Sequence, residues 1–124
     1  MKSLKNLLQS GDWKGEKHVP VIHAPEKVKL NESFDLKVSI GDEIKHPNTF
    51  EHHISWIKVF FHPEGEKFPI ELASFNFSSH GESSIFTEPV GLSNVVLSKS
   101  GTIYALSYCN IHGLWENSKD IVVE

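Results

Sequence analysis

From Val28 onward the apolar residues of this chain fall at alternate positions in short runs, and turn-forming residues stop each run. Val28, Leu30, Phe34, Leu36, Val38 and Ile40 alternate with polar neighbours across an Asn31-Glu32-Ser33 break, and Gly41-Asp42 closes the stretch. Successive side chains of a strand point to opposite faces, so this spacing predicts two half-buried strand segments and no helix. Similar runs predict strands over Ile54 to Phe61, Ile70 to Ser78, Ser84 to Thr87, Leu92 to Leu97, Thr102 to Tyr108 and Ile121 to Val123. About seven short strands joined by turns predict an all-β fold, an immunoglobulin-like antiparallel β-sandwich. At 124 residues the chain is expected to form a single domain, 1–124. Leu4, Leu7 and Leu8 have a helix-like spacing too short to stand alone, so residues 1–10 are expected to be an N-terminal appendage, one loose turn docked on the body. The charged segment from Gly11 to Pro20 reads as a surface loop.

Several function classes are disfavoured at once. All 12 basic residues are lysine and the net charge is -4, which argues against a nucleic-acid partner, since such surfaces are positive and lean on the guanidinium fork. No apolar run reaches the roughly 18 residues that span a bilayer, and no signal core precedes a cleavage site, so the chain reads as soluble and cytoplasmic, with no membrane partner. The single cysteine, Cys109, excludes an internal disulfide and any four-cysteine iron or zinc module.

The chemistry-bearing residues are eight histidines and that cysteine. Three patches stand out: His18 in the first loop; His46-Pro47-Asn48-Thr49-Phe50-Glu51-His52-His53; and Cys109-Asn110-Ile111-His112-Gly113. Pro47 holds His46 extended, and Cys109 and His112 lie where an apolar strand runs into Gly113, so both can turn toward one point at the end of a sandwich. His52 and His53 are adjacent at a strand entry; one of them can face a given site, and spacing does not choose between them. An isolated histidine is ordinarily a surface or hydrogen-bonded group and a lone cysteine a buried inert one; His23, His62 and His80, beside proline or glycine, take that reading. A thiolate with several imidazoles suits zinc, copper or iron. A structural zinc site needs only four ligands and no charged, glycine-flanked loop beside it. A cupredoxin-like copper electron-transfer protein without a substrate is the alternative, but its weak axial methionine is missing, the only methionine being Met1.

Ser10-Gly11-Asp12-Trp13-Lys14-Gly15-Glu16-Lys17-His18-Val19-Pro20, His46-Pro47-Asn48 through Glu51-His52-His53-Ile54, and Tyr104 through Cys109-Asn110-Ile111-His112-Gly113-Leu114-Trp115-Glu116 strongly resemble superoxide reductases of the single-iron, neelaredoxin type. His80-Gly81-Glu82 and Phe86-Thr87-Glu88-Pro89 agree more weakly, so the resemblance spans nearly the whole chain. It implies one mononuclear non-haem iron per chain, with equatorial imidazoles from His18, His46, His52 and His112, an axial thiolate from Cys109 and an open sixth position. The resemblance makes His52 the ligand of its pair and leaves His53 outside. The glutamate matching Glu16 closes on the oxidised iron, the lysine matching Lys17 lies near the site entrance, and the amides matching Ile111 and His112 donate to the sulfur. The implied activity is one-electron reduction of superoxide to hydrogen peroxide, with electrons from an external donor such as rubredoxin, in a homodimer or homotetramer. The rim around Cys109, with Trp115 and Tyr108 nearby in sequence, is expected to be exposed and to be where a donor could dock. Lys45 departs from the family pattern, which has proline before the second histidine; without the resemblance Glu16 and Lys17 would read as a solvated loop ion pair.

Overall fold

The structure is a computed structural model that describes residues 1–124. Its strands are β1 (Val21–His23), β2 (Lys27–Val28), β3 (Phe34–Ser39), β4 (Ile54–Pro63), β5 (Ile70–Asn76), β6 (Val90–Val95), β7 (Gly101–Cys109) and β8 (Gly113–Val123). They form two sheets, β1-β3-β6 and β2-β8-β7-β4-β5. The expected β-sandwich is present, with eight strands, and it is not wholly antiparallel, because β2 pairs with β8 in parallel.

One core lies between the sheets. Ile22, Leu36, Val38 and Val95 enter it from the smaller sheet, and Ile57, Val59, Phe61, Ile103, Ala105, Cys109 and Ile121 from the larger. The alternation read from the sequence is this division: in β4, Ile57, Val59 and Phe61 are buried while Trp56, Lys58, Phe60 and His62 are half-buried on the outer face. At the β5–β6 margin the sheets come so close that a Cβ on Gly91 would sit 2.3 Å from the Phe75 ring. Only glycine fits there.

Three local expectations need correction. Ser84 to Thr87 forms no strand; Gly81 turns at φ +116°, Glu82–Ser84 makes a 3-10 turn, and pairing is limited to a bridge between His80 and Phe86. β8 begins at Gly113, far ahead of Ile121, because its polar stretch is held along β7 by an unbroken register from Cys109↔Gly113 to Gly101↔Ile121, while β2 meets β8 only at Val122 and Val123. The appendage is not docked through Leu4 and Leu7, which are 62% and 70% exposed. Its backbone docks instead: Gln9 N–H donates to the Leu114 carbonyl at 3.1 Å, and Glu116 N–H donates to the Gln9 carbonyl at 2.8 Å.

Candidate metal centre

The three patches converge at one end of the sandwich. Cys109 ends β7, where it faces Ile54 of β4, and the β4–β7 register shifts between Ile54 and Trp56. This bulge leaves Ser55 out of the ladder, and its carbonyl instead accepts the Phe77 N–H at 3.0 Å. Such bulges re-aim the end of a strand. Beyond Cys109 the chain reverses into β8 through Gly113 at φ +82°, and the His112 N–H turns back to donate to Cys109 Sγ at 3.4 Å. Of the two amides expected at the sulfur, the His112 N–H is the one that reaches it.

Around that sulfur the imidazoles stand nearly in a square. Ring centroids are separated by 4.8 Å for His18–His46, 4.7 Å for His46–His52, 5.0 Å for His52–His112 and 4.7 Å for His112–His18. The diagonal His18–His52 is longer, at 6.3 Å. The ligand atoms of His18, His46, His52 and Cys109 all lie within 4.8 Å of one another. His112 joins them through Nδ1, 3.1 Å from His18 Nε2 and 3.8 Å from Cys109 Sγ, and the sulfur is 3.6 Å from His46 Nε2. Cys109, His46 and His18 are buried, His52 is half-buried and His112 is exposed, so the sulfur lies inward and the cluster opens toward the surface past His112.

The cluster has the marks of a cation site. His52 Nε2 is buried with no hydrogen-bond partner. An orphaned buried acceptor is costly, and a metal ion would satisfy it. Burial, with a smaller contribution from the charges of His18, His52 and Lys17, pushes His46 down to about 4. His52 is lowered too, first by burial and then by His112 and His18. Both are therefore neutral at pH 7, the form that binds metal. His46 donates Nδ1–H to the Pro47 carbonyl at 2.7 Å, which turns its Nε2 lone pair toward the centre. Four imidazoles round one sulfur suit neither a tetrahedral zinc site nor a trigonal two-histidine copper site; they offer five donors to one metal ion.

Several side chains that carry no ligand atom hold this arrangement. Trp115 stacks on His18 with centroids 4.8 Å apart and donates its indole N–H to the His112 carbonyl at 3.2 Å; Gln9 Nε2 donates to the same carbonyl at 3.0 Å. Trp115 is 8% exposed, so it buttresses the cluster and does not lie on an exposed rim, whereas Tyr108 does reach the surface. His53 lies away from the cluster, its ring stacked on His80 at 3.5 Å. His80, read from sequence as a turn residue, is buried: one ring nitrogen is 2.8 Å from Asn48 Oδ1 and the other 2.6 Å from the Phe77 carbonyl. Asn48 also donates to the Thr87 carbonyl at 3.0 Å, so the His46–His52 loop is pinned to the 77–87 loop. Long-range burial of His80 has no periodic signal; its one sequence hint is the weaker His80-Gly81-Glu82 match. His23, also set aside, is 2.8 Å from Asp42, which accepts a hydrogen bond from Ser39 at 2.6 Å. Glu16 sits on the outer edge of His18, with Oε1 2.7 Å from Nδ1, and its carboxyl is held below the usual range chiefly by that hydrogen bond. Lys17 is half-buried beside the cluster.

The desulfoferrodoxin family pattern matches residues 10–118. A superoxide reductase from Pyrococcus horikoshii is 54% identical over 114 residues, covering 92% of this chain and 95% of that protein. The crystal structure of a Thermotoga maritima protein superposes with a TM-score of 0.97 at 52% identity, over 100% of this chain and 99% of that one. That of the Archaeoglobus fulgidus superoxide reductase (neelaredoxin) in its reduced form gives a TM-score of 0.87 at 45% identity, over 94% and 98%.

Proposed function

The chain belongs to the desulfoferrodoxin family, and on that premise we propose that it is a superoxide reductase, with one iron held by His18, His46, His52, His112 and Cys109. The reaction consumes one superoxide, one electron and two protons and yields one hydrogen peroxide, with no oxygen evolved. The near-square of imidazoles over one buried sulfur carries this reading. Iron bound in that donor set supplies the one-electron chemistry, which these side chains alone do not.

The protein's own groups do the rest. Four neutral imidazoles and one thiolate contribute a single negative charge, so a divalent cation keeps a positive balance that attracts a small anion despite the net charge of -4. Lys17, half-buried beside the cluster, adds to that local field; after burial, the main cause, its charge is one of the smaller influences that lower His46 and His52. It also orders the water that delivers protons at the mouth. The hydrogen bond from the His112 amide moderates electron donation by the Cys109 sulfur. Glu16, now on His18, is the carboxylate that would close on an oxidised metal if its loop swung inward. With one cysteine the chain has no second iron–thiolate module, so its electrons come from a partner, a rubredoxin-like donor. A single domain over 1–124, assembled as a homodimer or homotetramer, and a reducing cytoplasmic setting suited to a lone thiol ligand complete the reading.

Metal analysis and a superoxide assay test it together. One iron per chain, with peroxide formed and no oxygen released, is expected. One copper per chain and no superoxide consumption would replace this reading with an electron carrier.

A further inference from the structure

Two of the clustered imidazoles have a hydrogen-bond partner on the nitrogen that faces away from the centre. For His46 it is a backbone carbonyl, that of Pro47, which cannot leave without moving the chain. For His18 it is a side chain. Glu16 Oε1 lies 2.7 Å from His18 Nδ1 and also accepts the His18 backbone N–H at 3.1 Å. His18 Nε2, on the other side of the ring, is the atom 3.1 Å from His112 Nδ1. The carboxylate and the centre therefore lie on opposite edges of one imidazole.

A neutral imidazole has one N–H. When a carboxylate takes it at Nδ1, Nε2 is left as a lone pair, and the negative acceptor makes that lone pair a stronger donor to a metal. The Glu16 side chain is 37% exposed against 7% for His18, and it follows the turn in which the Gly15 and Glu16 amides both donate to the Asp12 carbonyl at 2.9 Å. The acceptor is thus on a solvent-facing arm while the ring it serves is fixed, stacked on Trp115.

We infer that Glu16 is a positioning residue for His18: its carboxylate fixes the Nδ1–H tautomer and strengthens Nε2 as a metal ligand. This rests on the reading of His18 as a ligand. It gives Glu16 two mutually exclusive stations, since a carboxylate that has moved to the metal no longer holds the His18 N–H. A Glu16 that moved to a bound metal would therefore leave His18 a weaker donor to it.

Zinc alone serves as the probe, titrated into metal-free protein against a chelator. Glu16→Ala is expected to weaken zinc binding by about 10-fold or more, the usual range for losing the outer partner of a ligating histidine. Glu16→Gln keeps an oxygen acceptor for the same N–H and is expected to recover most of that loss. Nitrogen NMR of the metal-free protein is expected to show His18 as the Nδ1–H tautomer in wild type and Glu16→Gln, and as a tautomer mixture in Glu16→Ala. Wild-type zinc affinity in Glu16→Ala, no recovery in Glu16→Gln, or a wild-type His18 protonated at Nε2 would each overturn the inference. His18→Ala separates the two levels: if Glu16→Ala costs as much zinc affinity in a His18→Ala background as it does in wild type, the carboxylate does not act through His18 as a ligand. A protein that follows every zinc expectation yet leaves superoxide unreduced when iron-loaded would remove the proposed function and leave the role of Glu16 standing.

Discussion

Gly41→Ala tests how the loop after β3 sets the position of His46. Gly41 has φ +89°, and a Cβ there would lie 2.8 Å from the His46 backbone nitrogen and 3.3 Å from Lys45 Cα. Gly65 provides a control, because it has φ +82° and a Cβ there would meet nothing within 4 Å. An L-residue in this region costs about 1–2 kcal/mol, the whole effect expected of Gly65→Ala. Gly41→Ala carries that cost and must also push backbone aside, which adds about 1–3 kcal/mol. At about 2.1 cal/mol/K per residue, 124 residues give an unfolding entropy of about 0.26 kcal/mol/K, so 1 kcal/mol moves Tm by about 4 °C. Thermal melts should therefore show Gly41→Ala lower than Gly65→Ala by about 4–12 °C in metal-free protein. Saturating zinc should widen the gap, because each tenfold loss of affinity removes about 1.4 kcal/mol of ligand stabilisation. Equal melting temperatures, or a gap that zinc does not change, would refute the link between Gly41 and the His46 donor.

Lys17→Ala should slow the bimolecular reaction with superoxide several-fold at low salt and flatten its dependence on ionic strength in stopped-flow traces; an unchanged rate would remove Lys17 from steering. His80→Ala loses a buried ring with close polar contacts on both nitrogens and a stack, and should cost about 2–4 kcal/mol in denaturant melts while amide exchange quickens across residues 48–52; loss confined to the 77–87 loop would contradict the pinning role. Acid should destabilise the metal-free protein through His46. Its folded value, about 4, lies below the ordinary 6.5, so the unfolded chain takes the proton first; stability is full above about 6.5 and is lost as pH falls toward 4. Urea midpoints that stay flat over that window in wild type, or that fall as steeply in His46→Gln, would contradict this.

The parts of the fold legible in the sequence are those with one face in the core. β3, β4 and β7 alternate because every second side chain enters the space between the sheets, and their expected and observed spans nearly coincide. β8 lacks that signal over Leu114–Asp120: Trp115 is its one buried side chain there, and its strand character comes from its pairing with β7. β1, which starts directly after Pro20, is set by pairing with β3 and, at three residues, is too short for its Val21-Ile22 pair to show an alternation. At the centre, spacing alone leaves His52 and His53 equivalent, and the family resemblance chooses His52; in the structure His52 Nε2 lies with the cluster while His53 turns to His80. The outer partners, Glu16 on His18, Gln9 and Trp115 on the His112 carbonyl, and Asn48 on His80, depend on segments up to 103 residues apart meeting in space, which no local pattern encodes.

His18 and His112 are 94 residues apart in sequence and 3.1 Å apart in space. During synthesis the first donor to leave the ribosome is therefore the last to find its place: Gln9 and Ser10 have nothing to pair with until Leu114 and Glu116 have emerged. Closing so long a loop comes late in folding, since its entropy must be offset by contacts already made. The full donor set accordingly forms only after residue 112 has emerged, and a nascent chain short of it has no complete cage with which to compete for a metal.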